Sequence, residues 1–270
     1  MIATLLNFHW LADPQAWGAL LTLTLLEIVL GIDNIVFISI LVDRLPKEKR
    51  QSGRLMGLSL AMVARLLLLL SITWIMGLQN ALFEIPVHPT LWDMMPHAAE
   101  HGGQLGISIK DLILLGGGFF LIWKSTKEIH HSLEGAGEAT ATSKASASFG
   151  GVLLQIAMID IIFSLDSVIT AVGMVNDPSR VSLMMGAVLL SMAVMMVASG
   201  AIGSFVSRHP SVKMLALSFL IMIGTALMAE GLHFHVPKGY IYFSMAFSLA
   251  VELLNLRLRA KDYQAPASEI

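Results

Sequence analysis

Apolar residues fall in long, nearly continuous runs along this chain, and short polar segments separate the runs. A helix that crosses the hydrocarbon core of a bilayer needs about 20 predominantly apolar residues. Seven runs reach or approach that length, and each is predicted to form a membrane-spanning helix. The predicted spans cover about residues 16–42, 55–78, 111–123 with their flanks, 150–175, 182–206, 212–229 and 240–256.

Two polar segments are longer than turns and divide the chain. Residues 79–110 are predicted to form an outer loop. Residues 131–149 contain the small-residue stretch GAGEATATSKASAS, which is typical of a flexible linker. We therefore predict an all-α polytopic membrane protein in four parts. These are a first three-helix unit at 1–130, the cytoplasmic linker at 131–149, a second three-helix unit at 150–236, and a seventh helix with a cytoplasmic tail at 237–270.

Lysine and arginine residues are distributed unevenly between the predicted loops. With seven spans, 13 of the 17 fall on one side, three fall on the other, and Arg65 lies within a span. Because cytoplasmic loops carry the excess of positive residues, the N-terminus is predicted to lie outside the inner membrane and the C-terminus in the cytoplasm. The first residues lack a basic start and a small-residue cleavage site, so we expect the first span to be retained in the mature protein.

The composition agrees with a membrane protein whose partner is the lipid bilayer. It also excludes several classes of binding site and reaction. The chain is 56% hydrophobic and 13% charged, whereas a soluble domain carries roughly 25% charge. Its formal net charge is −2, so no basic excess points to nucleic acid. The absence of cysteine excludes disulfides, thiolate metal sites and a cysteine nucleophile. No serine–histidine–acid arrangement stands out, and we expect neither enzymatic activity nor a cofactor.

An acidic motif occurs twice, 133 residues apart. Glu27 and Asp33 are six residues apart near the middle of the first span, and Asp160 and Asp166 have the same spacing near the middle of the fourth. Because each predicted unit has three helices, the second copy must cross the membrane in the opposite direction. Such a 3+3 inverted repeat, here followed by one more helix, is a recurrent transporter architecture with sites at the repeat interface.

Acidic side chains at the centre of a span are strongly disfavoured. Each costs roughly 2.5–3.5 kcal/mol on the insertion scale, so these acids must be protonated, paired or bound to a cation. In a straight helix, six residues give about 9 Å of rise and would point the two acids of one span about 120° apart. We therefore expect the helices to be interrupted near Gly31 and Ser164, with Asn34 and Ser167 as polar neighbours of the acids.

Arg65 brings a permanent positive charge into the second span. It is predicted to be a counter-ion to one of the acids, since buried charges are usually paired. Two other interpretations stay open. In one, the acids and Arg65 merely hold helices together. In the other, Arg65 binds the carboxylate of an amino acid or an oxyanion that the protein transports.

The donor atoms within the spans favour a hard or borderline divalent cation. Carboxylate oxygens suit Mg²⁺, Ca²⁺ and Mn²⁺, and the spans contain neither cysteine nor a central histidine. The acids would take up protons when the metal leaves, and this predicts proton-coupled exchange. In the outer loop, His97 and His101 are four residues apart and would share a metal on a helical turn, although a solvated loop is the simpler interpretation.

Four segments together resemble the TerC family of bacterial integral membrane proteins. They are TLLEIVLGIDNIVF at 24–37, DIIFSLDSVITAVG at 160–173, RHPSVKMLALSFL at 208–220 and VPKGYIYF at 236–243. The resemblance implies the short form of the family, without CBS-type domains. It also implies membership of the LysE-type exporter group, which includes proteins associated with manganese export.

The resemblance implies an inner-membrane exporter of a divalent metal ion, expected to be Mn²⁺, that works by alternating access. Two alternatives remain: a transporter of an amino acid or oxyanion that uses Arg65, and a non-transporting scaffold for tellurium or stress resistance. A homo-oligomer is compatible with either. By the resemblance, the cation-binding acids are Glu27, Asp33, Asp160 and Asp166, with Asn34 and Ser167 beside them.

Overall fold

The computed structural model describes residues 9–71, 80–88, 103–134, 148–175, 181–234 and 236–262, apart from the side chains at 9, 30, 32, 33, 166–175 and 260–262. The described ranges contain seven long α-helices, one turn of 3₁₀ helix and a two-stranded sheet. The helices are α1 (Pro14–Val42), α2 (Lys47–Leu70), α3 (Ile109–Glu134), α4 (Phe149–Val175), α5 (Val181–Arg208), α6 (Pro210–Gly231) and α7 (Lys238–Asp262).

Five of these helices are long and apolar enough to cross a membrane, namely α1, α2, α5, α6 and α7. Each of the seven predicted spans coincides with a helix. Over the described residues, however, α3 and α4 lack an uncharged apolar stretch as long as those of the other five helices. The second half of α3 carries charged side chains, and the apolar stretch described for α4 is only Phe149–Leu165. The structure therefore supports a mostly helical, multi-pass membrane protein with five candidate spans.

The outward faces of the helices are apolar. Val197 on α5 is 86% exposed, and Tyr240, Phe243 and Phe247 on α7 are each more than half exposed. Soluble proteins rarely expose large apolar patches. Lipid chains solvate such surfaces, and helices satisfy their backbone hydrogen bonds internally. These helix exteriors therefore suit contact with lipid.

Helices α1 and α5 pack side by side and run in the same direction. The sulfur of Met195 on α5 lies directly against Gly31 of α1, where any Cβ would collide with it. Twelve positions further along both helices, Ser207 Oγ donates a hydrogen bond to Asp43 at 2.8 Å. Because the contacts advance together, the two helices are parallel.

Helices α2 and α4 form a second parallel pair. Ile156 of α4 packs against the backbone of Gly57 in α2. About two turns further along both helices, Arg65 donates a hydrogen bond to Ser164. A turn at residues 43–46 joins α1 to α2, and these two helices also pack together. Helix α1 therefore runs antiparallel to α2 and, in consequence, to α4.

Helices α3 and α6 pack antiparallel over most of their lengths. They meet at Gly118 and Gly224, where a Cβ on Gly224 would lie 2.8 Å from the carbonyl oxygen of Gly118. At the end of α6, a Cβ on Gly231 would lie 2.9 Å from the carbonyl oxygen of Asp111, near the start of α3. Small residues permit this close approach of backbones, as in many membrane helix pairs.

The helices that carry the acidic motifs are uninterrupted, so the predicted breaks near Gly31 and Ser164 are wrong. The two acids are instead brought together by α2, because its Arg65 pairs with both Glu27 on α1 and Asp160 on α4. Ser164 contributes its side-chain hydroxyl rather than a freed backbone group. Gly31 allows the close packing of α5 against α1.

The predicted outer loop at 79–110 contains regular structure that the hydropathy pattern does not indicate. Strand β1 (Ala81–Pro86) pairs antiparallel with strand β2 (Gln104–Ser108), and α3 follows at Ile109. Gly103, with φ of 84°, supplies the left-handed backbone position just before β2. Such short strands beside proline and glycine give little periodic signal, so hydropathy does not reveal them.

Two helices are longer than predicted. Helix α2 begins at Lys47 rather than at residue 55, and α3 extends to Glu134 and takes up the first residues of the predicted linker. The added turns are polar and charged, so a search for apolar runs stops short of them. Charged side chains are tolerated at such helix ends because they reach water beyond the hydrocarbon region.

Helix α7 lies at the edge of the bundle. It packs on α6, and none of its most apolar segment is buried inside the protein. An apolar cavity of about 190 Å³ lies where α7 faces α1 and α6, with Phe37, Phe219, Tyr242 and Met245 in its walls. Among the described helices, α7 is therefore a peripheral one whose apolar side chains mostly face outward.

Candidate functional site

Two acids from opposite halves of the chain meet at one arginine. Arg65 on α2 forms an ion pair with Glu27 on α1, and another of its nitrogens lies 3.2 Å from Oδ1 of Asp160 on α4. Its Nε donates to Ser164 Oγ at 3.0 Å, and that hydroxyl donates to Oδ2 of Asp160 at 3.2 Å. We refer to Glu27, Arg65 and Asp160 as the central triad.

The central triad is almost wholly removed from solvent. The side chains of Arg65 and Asp160 are each 3% exposed, and that of Glu27 is 12% exposed. Gly57, on the same face of α2 as Arg65, lets Ile156 of α4 pack against the helix backbone. This close approach of α2 and α4 brings the guanidinium of Arg65 within reach of the acids.

The charges of the central triad do not balance. When both acids are ionised, two negative charges face one guanidinium, and the net charge is −1. In the part of the chain that the structure describes, no second basic side chain pairs with Glu27 or Asp160. An excess charge in a poorly hydrated interior is strongly unfavourable. The triad therefore has capacity for a proton or for a further cation.

The second acid of each motif lies on the same helix as the triad acid. Asp33 belongs to α1 and Asp166 to α4, but both side chains, and that of Ser167, lie outside the described residues. Asn34 on α1 is half-buried. Because α1 and α4 are continuous, the two acids of one motif are about 120° apart around the helix axis. A shared ion site would therefore have to combine residues from both helices.

The outer-loop histidines that the sequence suggests as metal ligands, His97 and His101, lie outside the described residues. Within the described ranges, no three histidine, aspartate or glutamate side chains are grouped so that they could hold a metal ion. An outer-loop metal site therefore stays a prediction.

A hydrogen-bonded cluster joins α3 to α6 at the hairpin end of the molecule. Ser108 donates to Oδ2 of Asp111 from its backbone nitrogen at 2.8 Å and from its hydroxyl at 2.6 Å, which caps the start of α3. His233 Nε2 lies 3.1 Å from the same oxygen. His233 adopts φ of 62°, a left-handed position that ends α6 and directs the chain toward Asp111.

The opposite end of the bundle contains a cluster of ion pairs. Glu128, near the end of α3, pairs with Arg44 in the α1–α2 turn, and its other oxygen lies 3.8 Å from Nζ of Lys213 on α6. Glu128 is 5% exposed. Partial burial lowers the pKa of Arg44. Glu128 was not among the site residues predicted from the sequence, although its position among basic residues was a signal for pairing.

Asp43 adds a second set of contacts at the same end. Its carboxylate lies 3.1 Å from Arg50 on α2 and accepts from Ser207 Oγ on α5 at 2.8 Å. The contacts therefore link the α1–α2 turn to α3, α5 and α6. We define the basic-end cluster as Asp43, Arg44, Arg50, Glu128, Ser207 and Lys213.

Apolar helix exteriors, five candidate spans and charges paired in the interior define a multi-pass integral membrane protein. The chain belongs to the TerC family, because the family model described as "Integral membrane protein TerC family" matches residues 12–264. This match confirms the family resemblance seen in the acidic motifs.

Named relatives agree with this assignment. The chain is 55% identical over 255 residues to the UPF0053 inner membrane protein YgdQ of Escherichia coli K12, a match that covers 94% of this chain and 98% of that protein. It is 51% identical over 252 residues to a UPF0053 protein of Haemophilus influenzae. The longer UPF0053 inner membrane protein YoaE of E. coli K12 is 48% identical over 247 residues, which cover 92% of this chain and 44% of YoaE. No solved structure matches the chain.

Proposed function

We propose that this protein transports a divalent metal ion across the inner membrane through a site beside the central triad, and that it is not an enzyme. The convergence of Glu27 and Asp160 on Arg65, with an excess of negative charge, carries the proposal. A cation makes such a charge tolerable inside a membrane, and carboxylate oxygens suit Mg²⁺, Ca²⁺ and Mn²⁺. The family resemblance makes Mn²⁺ the expected substrate and export the expected direction.

The proposal gives different roles to the two acids of each motif. Glu27 and Asp160 hold Arg65 and provide the excess negative charge. The direct ligands of the ion come from both halves of the chain, and the geometry of a continuous helix separates them from the triad acids of their own motif. The proposed ligands are Asp33 and Asp166, with Asn34 and Ser167 as neighbours.

An inverted repeat is part of the proposal, and the pairing of the helices supports it. In an inverted repeat, α1 corresponds to α4, α2 to α5 and α3 to α6. The partner of the α1–α5 pair under this correspondence is the α4–α2 pair, and the α3–α6 pair corresponds to itself. All three pairs occur in the structure, and α1 and α4 run in opposite directions. Two such halves would rock against each other around a shared site and expose it alternately to each side.

The contacts of Arg65 favour a cation over an anionic substrate. Its three nitrogens face Glu27, Ser164 and Asp160. An amino acid or oxyanion that used Arg65 would have to displace one of these carboxylates, which would then be buried without a partner. Breaking one buried ion pair costs about 3–5 kcal/mol.

Manganese tolerance in a strain that lacks the protein tests the proposal. Wild type is expected to restore growth in high manganese, whereas Asp33→Asn and Asp166→Asn are expected to fail and to leave more manganese in the cells, because each removes a charged ligand. Asp13→Asn, at the N-cap of α1, is a matched control. The Asp13 side chain accepts from the backbone nitrogen of Gln15 at 2.9 Å, and asparagine caps a helix as well as aspartate does.

Rescue by both acid variants, at wild-type protein levels, would contradict the proposed site. The same variants in proteoliposomes separate a transporter from a scaffold, since a scaffold moves no Mn²⁺ even in the wild type. An imposed pH gradient is expected to change the wild-type flux, because carboxylates that release the metal take up protons. If the Mn²⁺ flux does not change with the pH gradient, proton coupling is contradicted, but metal transport is not.

A further inference from the structure

We propose that the basic-end cluster is a gate that closes the route between the central triad and the basic end of the molecule. The inference rests on the proposed transport function and assigns to Glu128 and Asp43 a role in controlling access. Neither residue belongs to an acidic motif of the repeat.

The contacts of the cluster cross from one half of the chain to the other. Glu128 on α3 reaches Lys213 on α6, and Asp43 in the α1–α2 turn reaches Ser207 at the end of α5. If the halves rock against each other, these two contacts must break when the basic end opens. The remaining pairs, Arg44–Glu128 and Arg50–Asp43, hold the two acids in place within the first half.

A buried cation lies between the cluster and the central triad. Arg54 on α2 is 6% exposed. Its guanidinium fills the gap between α1 and α5: a Cβ on Gly203 would lie 2.5 Å from Cζ of Arg54 and 2.8 Å from Ser39 Oγ. Within the described part of the chain, Nε of Arg54 has no hydrogen-bond partner.

Arg54 shares a face of α2 with Arg65, because eleven residues correspond to about three turns and about 16 Å. A fixed positive charge on that route opposes the passage of a cation. Both the packing and the charge at this end therefore describe a closed state.

The ion pairs of the cluster suit a contact that opens and closes. Side-chain exposure is 36% for Arg44, 27% for Lys213 and 16% for Asp43. Partly hydrated ion pairs contribute little each, so they are able to separate into water without a large barrier. Glu128 is more deeply buried and pairs with both Arg44 and Lys213. Among the members of the cluster, its loss should therefore weaken the contact between the two halves most.

Access to Ser39 tests the gate without any measurement of transport. Ser39 is fully buried beside Arg54, and its hydroxyl bonds to the carbonyl of Ile35 at 2.8 Å. The chain has no cysteine, so Ser39→Cys introduces a single thiol. Its rate of reaction with a membrane-impermeant thiol reagent is measured in vesicles of both orientations.

With the gate intact, labelling of Ser39→Cys is expected to be slow from the basic-end side. Adding Glu128→Gln is expected to raise that rate about tenfold, since two pairs with Glu128 are weakened, and to leave labelling from the hairpin side unchanged. Lys213→Gln should cause a smaller increase on the same side, and it carries the test if Glu128→Gln does not reach the membrane. Glu134→Gln is the matched control, because Glu134 on the same helix is 68% exposed and pairs with His130.

An unchanged rate in Glu128→Gln and Lys213→Gln would overturn the gate, and so would an equal rise from both sides, which would mean that the cluster is a simple structural tether. The outcome does not depend on metal movement. If the wild type moves no Mn²⁺ into liposomes, the proposed function fails by itself. If Mn²⁺ moves but labelling does not respond, only the gate fails.

Discussion

Arg65 shows how single side chains in this protein respond to the low polarity of their surroundings. Its guanidinium meets two carboxylates and a hydroxyl, so each polar group of the central triad has a partner. A buried hydrogen-bonded pair is weak evidence for stability, but removal of one partner leaves an uncompensated charge. The central triad should therefore be far more sensitive to loss of Arg65 than its buried position alone suggests.

Arg65→Gln is expected to destabilise the protein by about 3–5 kcal/mol, because two carboxylates lose their cation. The change would be measured as a fall in Tm or in the denaturant midpoint of the protein in detergent. Adding Asp160→Asn should recover part of the loss, since one of the two orphaned charges is then removed.

Arg208→Gln is the control for that pair of variants. Arg208 is exposed at the end of α5, and its loss should leave Tm nearly unchanged. If Arg65→Gln and Arg208→Gln gave the same Tm, the ion pairs of the triad would not contribute to stability.

Individual residues differed in how far the sequence could predict them. Glu27 and Asp160 were identifiable because an acid in an apolar run is conspicuous, and Arg65 was identifiable for the same reason. Their meeting point depended on which helices pack together, and spacing within a single helix does not contain that information. Glu128 was missed because a charged residue at a helix end is common, and only its tertiary contacts distinguish it.

At the scale of elements, a glycine triplet at Gly116, Gly117 and Gly118 on α3 illustrates how helix faces are specified. A Cβ on Gly116 would meet no atom within 4 Å. At Gly117 it would meet Ile162 of α4, and at Gly118 the backbone of Gly224 in α6. Three adjacent residues of one type therefore have three different environments, because successive positions are about 100° apart around a helix.

Gly118→Ala is expected to destabilise the protein by about 1–3 kcal/mol, because α3 and α6 must move apart to admit the methyl group. Gly116→Ala, two residues away, is expected to be neutral or stabilising by up to about 1 kcal/mol, since alanine is the better helix former and the site is open. Thermal unfolding of both variants under one condition gives the comparison. Equal losses in the two variants would contradict the close packing at Gly118.

The elements themselves were largely predictable, and their irregularities were not. Long apolar runs located all seven helices, because the cost of exposing backbone groups to lipid leaves helix as the favoured structure. The hairpin at Ala81–Pro86 and Gln104–Ser108 was missed, as its strands are too short to show a period. The expected helix breaks were wrong because the spacing of acids along one helix does not show that Arg65 from α2 meets the acids of α1 and α4.

At the scale of the whole molecule, several basic residues of the described ranges collect at one end. Arg44, Arg50 and Lys213 meet in the basic-end cluster, and the hairpin lies at the other end of α3. The uneven distribution of lysine and arginine along the sequence thus corresponds to two distinct ends of the bundle. We propose from the positive-inside rule that the basic end faces the cytoplasm.

Single cysteines placed at the two ends test this orientation. In intact spheroplasts, a membrane-impermeant thiol reagent should label Leu82→Cys in the hairpin, where Leu82 is 57% exposed, and should leave Glu48→Cys unlabelled. In inside-out vesicles the pattern should reverse. The opposite result in both preparations would mean that the N-terminus is cytoplasmic.

The space between α7 and its neighbours has a consequence for handling the protein. The gap of about 190 Å³ has almost wholly apolar walls and lies at the rim of the bundle, so we expect an acyl chain of the bilayer to fill it. The inner side of α7 would then pack partly against lipid rather than against other helices. We expect delipidation in short-chain detergent to loosen that helix before any other, whereas nanodiscs with native phospholipids should keep it in place.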